Sequence, residues 1–276
     1  MRLTLPLATI IKGFLYIDGG EISQLDDGKK PPTKQPSNGI NSTLSIDLSK
    51  SWLPNAVAIN SIPKLAPILS GQGVWPDPHA DAFFVWGGHH PYGRNMTKPE
   101  NWRFEADGRG GGAWSRLAPA NPGLLSALHR SEGGAVATSR DAGFWVGGMA
   151  TGWTELGRGE SQPVPGIVSF NMSTYTWRND SAASLSPFGT LVNGKAQFID
   201  GFGEHGLVVL LGGATYSLVP EAGKPPDGMQ AFTNVSFFEP VNQTWYWQTT
   251  TGTAPTPRAQ FCSVIANDPK ANSYEM

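Results

Sequence analysis

Phe144-Trp145-Val146-Gly147-Gly148 is an apolar run closed by two glycines. The same form stands at Phe14-Leu15-Tyr16-Ile17-Asp18-Gly19-Gly20, Phe83-Phe84-Val85-Trp86-Gly87-Gly88 and Leu207-Val208-Val209-Leu210-Leu211-Gly212-Gly213. The second glycines lie 68, 60 and 65 residues apart. A second pattern follows each doublet: an apolar residue, an acidic residue or Asn, then a Trp. The cases are Ile46-Asp47 with Trp52, Phe104-Glu105 with Trp114, Phe170-Asn171 with Trp177, and Phe238-Glu239 with Trp245. The Trp lags the polar residue by 5, 9, 6 and 6 residues, the 9 containing the insertion Gly108-Arg109-Gly110-Gly111-Gly112. A hairpin accounts for this: the apolar residue ends one strand, the polar residue opens the turn, and the Trp starts the return strand. A further strand-like run precedes most doublets, at 133–138, 195–199 and 260–266. Each repeat thus offers four short strands: A, B ending in Gly-Gly, C, and D carrying the Trp. Two residues without Cβ let the backbone turn tightly out of a buried strand. The Trp supplies apolar mass between neighbouring sheets.

Composition agrees with an all-β chain. Of 276 residues, 34 are Gly and 23 Pro, against averages of about 7% and about 5%. Charged residues make up 15%, below the usual ~25%, which speaks against long charged helices. A hydrophobic fraction of 39% with 10 Trp and 13 Phe is ample for a core. The net charge of −2 gives no support to electrostatic nucleic-acid binding. The single cysteine, Cys262, excludes an intrachain disulfide.

The apolar-Gly-Gly and later Trp pattern resembles the kelch repeat, one four-stranded antiparallel blade of a β-propeller. The resemblance covers residues from about 11 to 276, in the style of fungal secreted or cell-surface kelch-repeat proteins. It implies about four blades, near 12–60, 61–125, 126–185 and 186–250, with the start of another at 251–276. The repeats exceed the ~50 residues of a typical kelch repeat because the B–C loops at 21–43, 89–100, 149–165 and 214–233 are long. Kelch propellers usually have six or seven blades, so the expectation is a partial propeller, with a four-blade ring as the alternative. Residues 1–11, a basic start followed by an apolar run, read either as a signal peptide or as the residual first strand.

The resemblance implies a non-catalytic scaffold, secreted or on the extracellular face of the cell surface, that binds a protein or carbohydrate, with no cofactor and no metal. A membrane anchor would belong only to a longer form. Six N-glycosylation sequons, at Asn41, Asn95, Asn171, Asn179, Asn234 and Asn242, fit that compartment; chance predicts about two. Insertions at equivalent points of a repeat fall on one face, often the binding face. That face would carry Tyr92, Arg94, Trp153 and Glu155.

Other chemistry reads as weak. His89 and His90 are adjacent on an extended segment, so they point apart and suit a solvated loop better than a metal site. Glu204-His205 lies in an ordinary A–B turn. Arg130, beside His129, and Arg258 precede A strands, where contacts to backbone carbonyls or structural ion pairs are expected over an anion site. The alternative function is a copper radical oxidase, which shares the propeller architecture. Cys262, expected to be an apolar filler on strand 260–266, would be its crosslinking residue, but no His-His pair on inner strands accompanies it. The acidic iron site of nitrile-specifier enzymes has no recognisable counterpart, and no helical segment of a ubiquitin-ligase adaptor is present.

Overall fold

The computed structural model describes residues 3–22, 38–53, 55–92, 95–182, 185, 188–218, 228–268 and 273–275. Four sheets have four strands each, and in every one the strands follow chain order as an antiparallel meander. The first blade holds Leu7–Ile11, Phe14–Asp18, Ser42–Asp47 and Asn60–Pro63. The second holds Ser70–Asp77, Ala82–His89, Asn101–Ala106 and Gly112–Leu117. The third holds Ala135–Thr138, Ala142–Val146, Ile167–Asn171 and Thr176–Asp180, and the fourth Lys195–Ile199, Leu207–Leu211, Asn234–Glu239 and Thr244–Thr249. Strand Leu7–Ile11 pairs along its whole length with Phe14–Asp18, so cleavage near residue 11 would remove the first blade's A strand.

The chain divides into two compact units. One comprises Met1–Glu132 with Thr151–Glu160, and the other Gly133–Ala150 with Ser161–Met276. Each has its own core. Tyr16, Phe83, Phe104 and Trp114 anchor the first; Phe144, Val146, Ile167, Val208 and Phe238 anchor the second.

The apolar–polar–Trp pattern proves to be a cross-strand pair. Trp114 stands opposite Phe104, Trp177 opposite Phe170 and Trp245 opposite Phe238. Their ring centroids are 5.4, 4.7 and 5.1 Å apart. Such opposed aromatic pairs are a main source of sheet stability. The first repeat departs from this. Trp52 is 46% exposed and lies outside the strands, and the return strand begins only at Asn60.

The doublets act between blades. Both glycines are left-handed in all four, with φ from 53° to 97°. The second glycine's N–H donates to a carbonyl ahead of the next repeat's first strand: Gly20 to Leu69, Gly88 to Ser131, Gly148 to Leu191 and Gly213 to Arg258, at 2.8–3.0 Å. A Cβ on Gly19, Gly147 or Gly212 would collide with that same acceptor oxygen. The doublet's glycines are thus required by close backbone approach as well as by φ.

A second series of left-handed residues marks the entry to each repeat: Leu5, Gly71, Gly133, Asn193 and Gln260. Within the first unit Gly71 N–H donates to Leu5 O. Within the second, Asn193 N–H donates to Gly133 O and Gln260 N–H to Asn193 O. Gln260 therefore opens a fifth repeat. The strand expected at 260–266 is absent: residues 260–265 are coil, and only Ala266–Asp268 pairs, with the three residues Ser273–Glu275. So short a partner leaves most of that stretch unpaired.

Three hydrogen bonds tie the first two blades together. The glycine insertion reaches onto the first blade, where Ser45 Oγ donates to Gly110 O at 2.5 Å and Tyr16 OH to Gly111 O at 3.0 Å. Asp107 shapes this turn by accepting from the N–H of Arg109 and Gly111. Nearby, Lys64 Nζ meets Asp18 Oδ2 at 2.5 Å with both side chains fully buried. Thr43 Oγ1 donates to the other Asp18 oxygen at 2.7 Å and accepts from Trp114 Nε1 at 2.8 Å. The Lys64 ammonium also lies 5.3 Å from the Trp114 ring centre.

Gly147→Ala is expected to destabilise the protein by about 1–3 kcal/mol. Gly252→Ala, left-handed but with nothing within 4 Å of an added Cβ, should cost roughly 1 kcal/mol; denaturant midpoints rank the two. Lys64→Ala strands a buried carboxylate and should cost about 3–5 kcal/mol. Restoring most of that loss in Asp18→Asn/Lys64→Met would show that the unpaired charge is the cause.

Candidate binding surface

The loops after the second and third doublets meet in the first unit. Tyr92, 41% exposed, and Trp153, 45% exposed, have ring centroids 5.4 Å apart at 61°. What lies beneath holds them there. Thr151–Thr154 is a tight turn: Thr151 N–H donates to Thr154 Oγ1 at 2.8 Å, and Trp153 N–H to Thr151 Oγ1 at 3.1 Å. Thr151 Oγ1 in turn donates to Glu132 Oε1 at 3.3 Å. The Trp153 carbonyl points inward and accepts His90 N–H at 2.9 Å.

His90 is 2% exposed. Thr97 N–H donates to its Nε2 at 3.0 Å, which assigns the ring proton to Nδ1, 3.2 Å from Trp153 O. Burial pushes the His90 imidazolium down. The Arg130 guanidinium and His89 push the same way, against the Trp153 carbonyl, and the pKa falls to about 4. Arg130 is itself buried and donates to the carbonyls of Thr97 and Lys98 at 2.9 and 3.1 Å. Burial lowers its pKa to about 10 despite Glu100 and Glu155, which leaves it charged at neutral pH. Histidine and arginine together clamp the loop that carries Tyr92 to the turn that carries Trp153.

Beside the aromatic pair, Glu155 accepts from Arg158 Nε at 2.7 Å and lies 2.7 Å from His129 Nδ1. His89 Nδ1 stands 2.8 Å from Glu132 Oε2. Burial raises the Glu132 pKa, but the His89 hydrogen bond and charge and the Thr151 hydroxyl outweigh it, so the carboxyl lies below its ordinary range.

The expected face is therefore assembled in part. Tyr92, Trp153 and Glu155 share it, while Arg94 lies outside the described residues. His89 and His90 do point apart, yet His90 is a buried clamp and the solvated-loop reading of it fails. Nothing in local spacing announced its partners, which come from Thr97, Arg130 and Trp153. Arg130 makes the carbonyl contacts expected of it. Arg258 is exposed and bonds locally, Nε to Thr256 O at 3.1 Å. Glu204 and His205 are 3.9 Å apart at the surface. Cys262, expected inside a strand, is exposed in coil. Among the described residues no group of three His, Cys, Asp or Glu is placed to hold a metal. Of the sequon asparagines, Asn41, Asn95, Asn179, Asn234 and Asn242 are exposed. Asn171 is half-buried, and its Oδ1 accepts from Ser173 N, Thr174 N and Thr174 Oγ1.

The His90 pKa of about 4 sets a pH window. The unfolded histidine takes up a proton near pH 6.5, which the folded one refuses until about pH 4. Its contribution is full above pH 6.5 and is lost as pH falls to 4, by up to about 3 kcal/mol. Unfolding free energies measured from pH 7 to pH 4 should slope accordingly, and His90→Gln should flatten that slope.

No family model matches the chain. It is 24% identical to a protein described as Kelch repeat-containing protein from Arthroderma benhamiae, over 97% of this chain and 42% of that protein. The chain thus spans about two fifths of the relative's length. Its fold matches the solved structure of YjhT with a TM-score of 0.57 at 12% identity, over 94% of this chain and 73% of that one. The doublets, the four-stranded meanders and the fungal relative agree: the chain is built of kelch-type propeller blades.

Proposed function

We propose that this protein is a non-catalytic binding scaffold of the extracellular space or cell surface, recognising a protein or carbohydrate through the surface around Tyr92 and Trp153. The observation that carries this reading is the aromatic pair itself. Two large rings stay about half exposed while the backbone behind them is fixed by buried His90 and Arg130. Rigid aromatic area with polar groups beside it suits sugar faces and peptide side chains, because little entropy is lost on contact. Glu155, oriented by Arg158 and His129, supplies a fixed acceptor at the rim. Five exposed sequon asparagines support a secretory route.

Expression through a eukaryotic secretory pathway tests the compartment: a secreted species that loses mass on deglycosylation is expected, and intracellular unglycosylated protein would contradict it. The secreted protein is then screened on an oligosaccharide array and a displayed-peptide library. Trp153→Ala should weaken any hit by about tenfold or more with Tm unchanged. A hit indifferent to both Trp153→Ala and Tyr92→Ala would place recognition elsewhere.

A further inference from the structure

The fourth blade's outer strand, Thr244–Thr249, leaves Tyr246 and Trp247 50% and 56% exposed. Directly across from it runs the strand bearing the sequon Asn234-Val235-Ser236. In an extended strand residues i and i+2 share a face, so the sequon's Asn and Ser project to the same side. The register places Ser236 opposite Trp247 and Asn234 opposite Thr249. Trp247 is therefore the diagonal neighbour of Asn234, about 7–8 Å away, within reach of the first sugar of an attached chain. Thr249 Oγ1 donates to Asn234 Oδ1 at 3.0 Å, which fixes the amide plane and leaves Nδ2 as the atom to be modified. The other strand-borne sequons lack an exposed aromatic there: the diagonal neighbours are buried Phe144 for Asn171 and buried Phe170 for Asn179.

We propose that Asn234 carries an N-linked glycan whose first N-acetylglucosamine lies over the exposed indole of Trp247. This rests on the secretory reading above. In the transfer, the anomeric carbon–oxygen bond of a lipid-linked oligosaccharyl diphosphate breaks and a carbon–nitrogen bond forms to Asn234 Nδ2. The amide loses a proton to base, and the lipid diphosphate leaves. The apolar face of the sugar ring then covers an indole that the fold alone leaves to water, removing apolar area from solvent.

The secreted protein, Asn234→Gln, Ser236→Ala and Trp247→Ala are compared. Peptide mapping reads occupancy at Asn234, and hydroxyl-radical footprinting reads oxidation of Trp247. The expected result is an occupied Asn234, with Trp247 oxidised severalfold faster in both sequon variants. Trimming every glycan to a single N-acetylglucosamine should preserve the protection. Asn234→Gln should also lower Tm in the wild-type background but not beside Trp247→Ala. Equal oxidation with and without the glycan overturns the proposal, as does an empty Asn234 when other sequons are filled; both leave the secretory reading standing. A protein with every sequon empty overturns the two together.

Discussion

The architecture of each compact unit depends on one backbone hydrogen bond, made twice in each of them. The second glycine of each doublet turns its N–H out of its own blade and gives it to the carbonyl that introduces the next repeat. The geometry excludes a side chain twice over. The left-handed φ disfavours a Cβ in all four, and at Gly19, Gly147 and Gly212 the acceptor oxygen occupies the place where the Cβ would be. The carbonyl of the second glycine turns the other way, and in three repeats the returning loop satisfies it, through the N–H of Ile40, Val164 and Gln230. One glycine residue thus secures both a blade's exit and its neighbour's entry through the two peptide units that flank it, which is why the doublet tolerates no drift although the loops after it vary.

Much of this was legible because the chemistry at those positions admits a single residue type. Only glycine meets both demands, so the doublets recur in the sequence as plainly as in the structure. The cross-strand Trp pairs were legible for a similar reason, since a ring filling a fixed gap opposite Phe104, Phe170 or Phe238 has few substitutes. The entry positions were not legible. Leu5, Gly71, Gly133, Asn193 and Gln260 share one left-handed conformation, and backbone bonds link entry to entry within each unit, but four residue types occupy the position. Trp52 misled for the converse reason: it keeps the spacing and has lost the pairing.

The surface around Tyr92 and Trp153 was legible in its exposed parts alone. Tyr92, Trp153 and Glu155 could be placed together because insertions at equivalent points of a repeat converge. The support beneath them could not, since it joins His90, Thr97, Arg130 and Trp153 across up to 63 residues of sequence. A histidine held neutral by burial and an arginine spent on two carbonyls are unremarkable in sequence. In space they tie Thr97 and Lys98 to the turn that carries Trp153. The same division holds at Asn234: the sequon is a three-residue pattern, whereas its aromatic neighbour depends on strand register.

Native-state hydrogen exchange at the amides of Gly20, Gly88, Gly148 and Gly213 tests the central claim most directly. If these N–H groups bridge the repeats, they exchange as slowly as strand amides of the core such as Val146 and Val209. If they exchange as fast as the open-turn amide of Gly252, the doublets serve as turns alone and something other than this hydrogen bond holds successive repeats together.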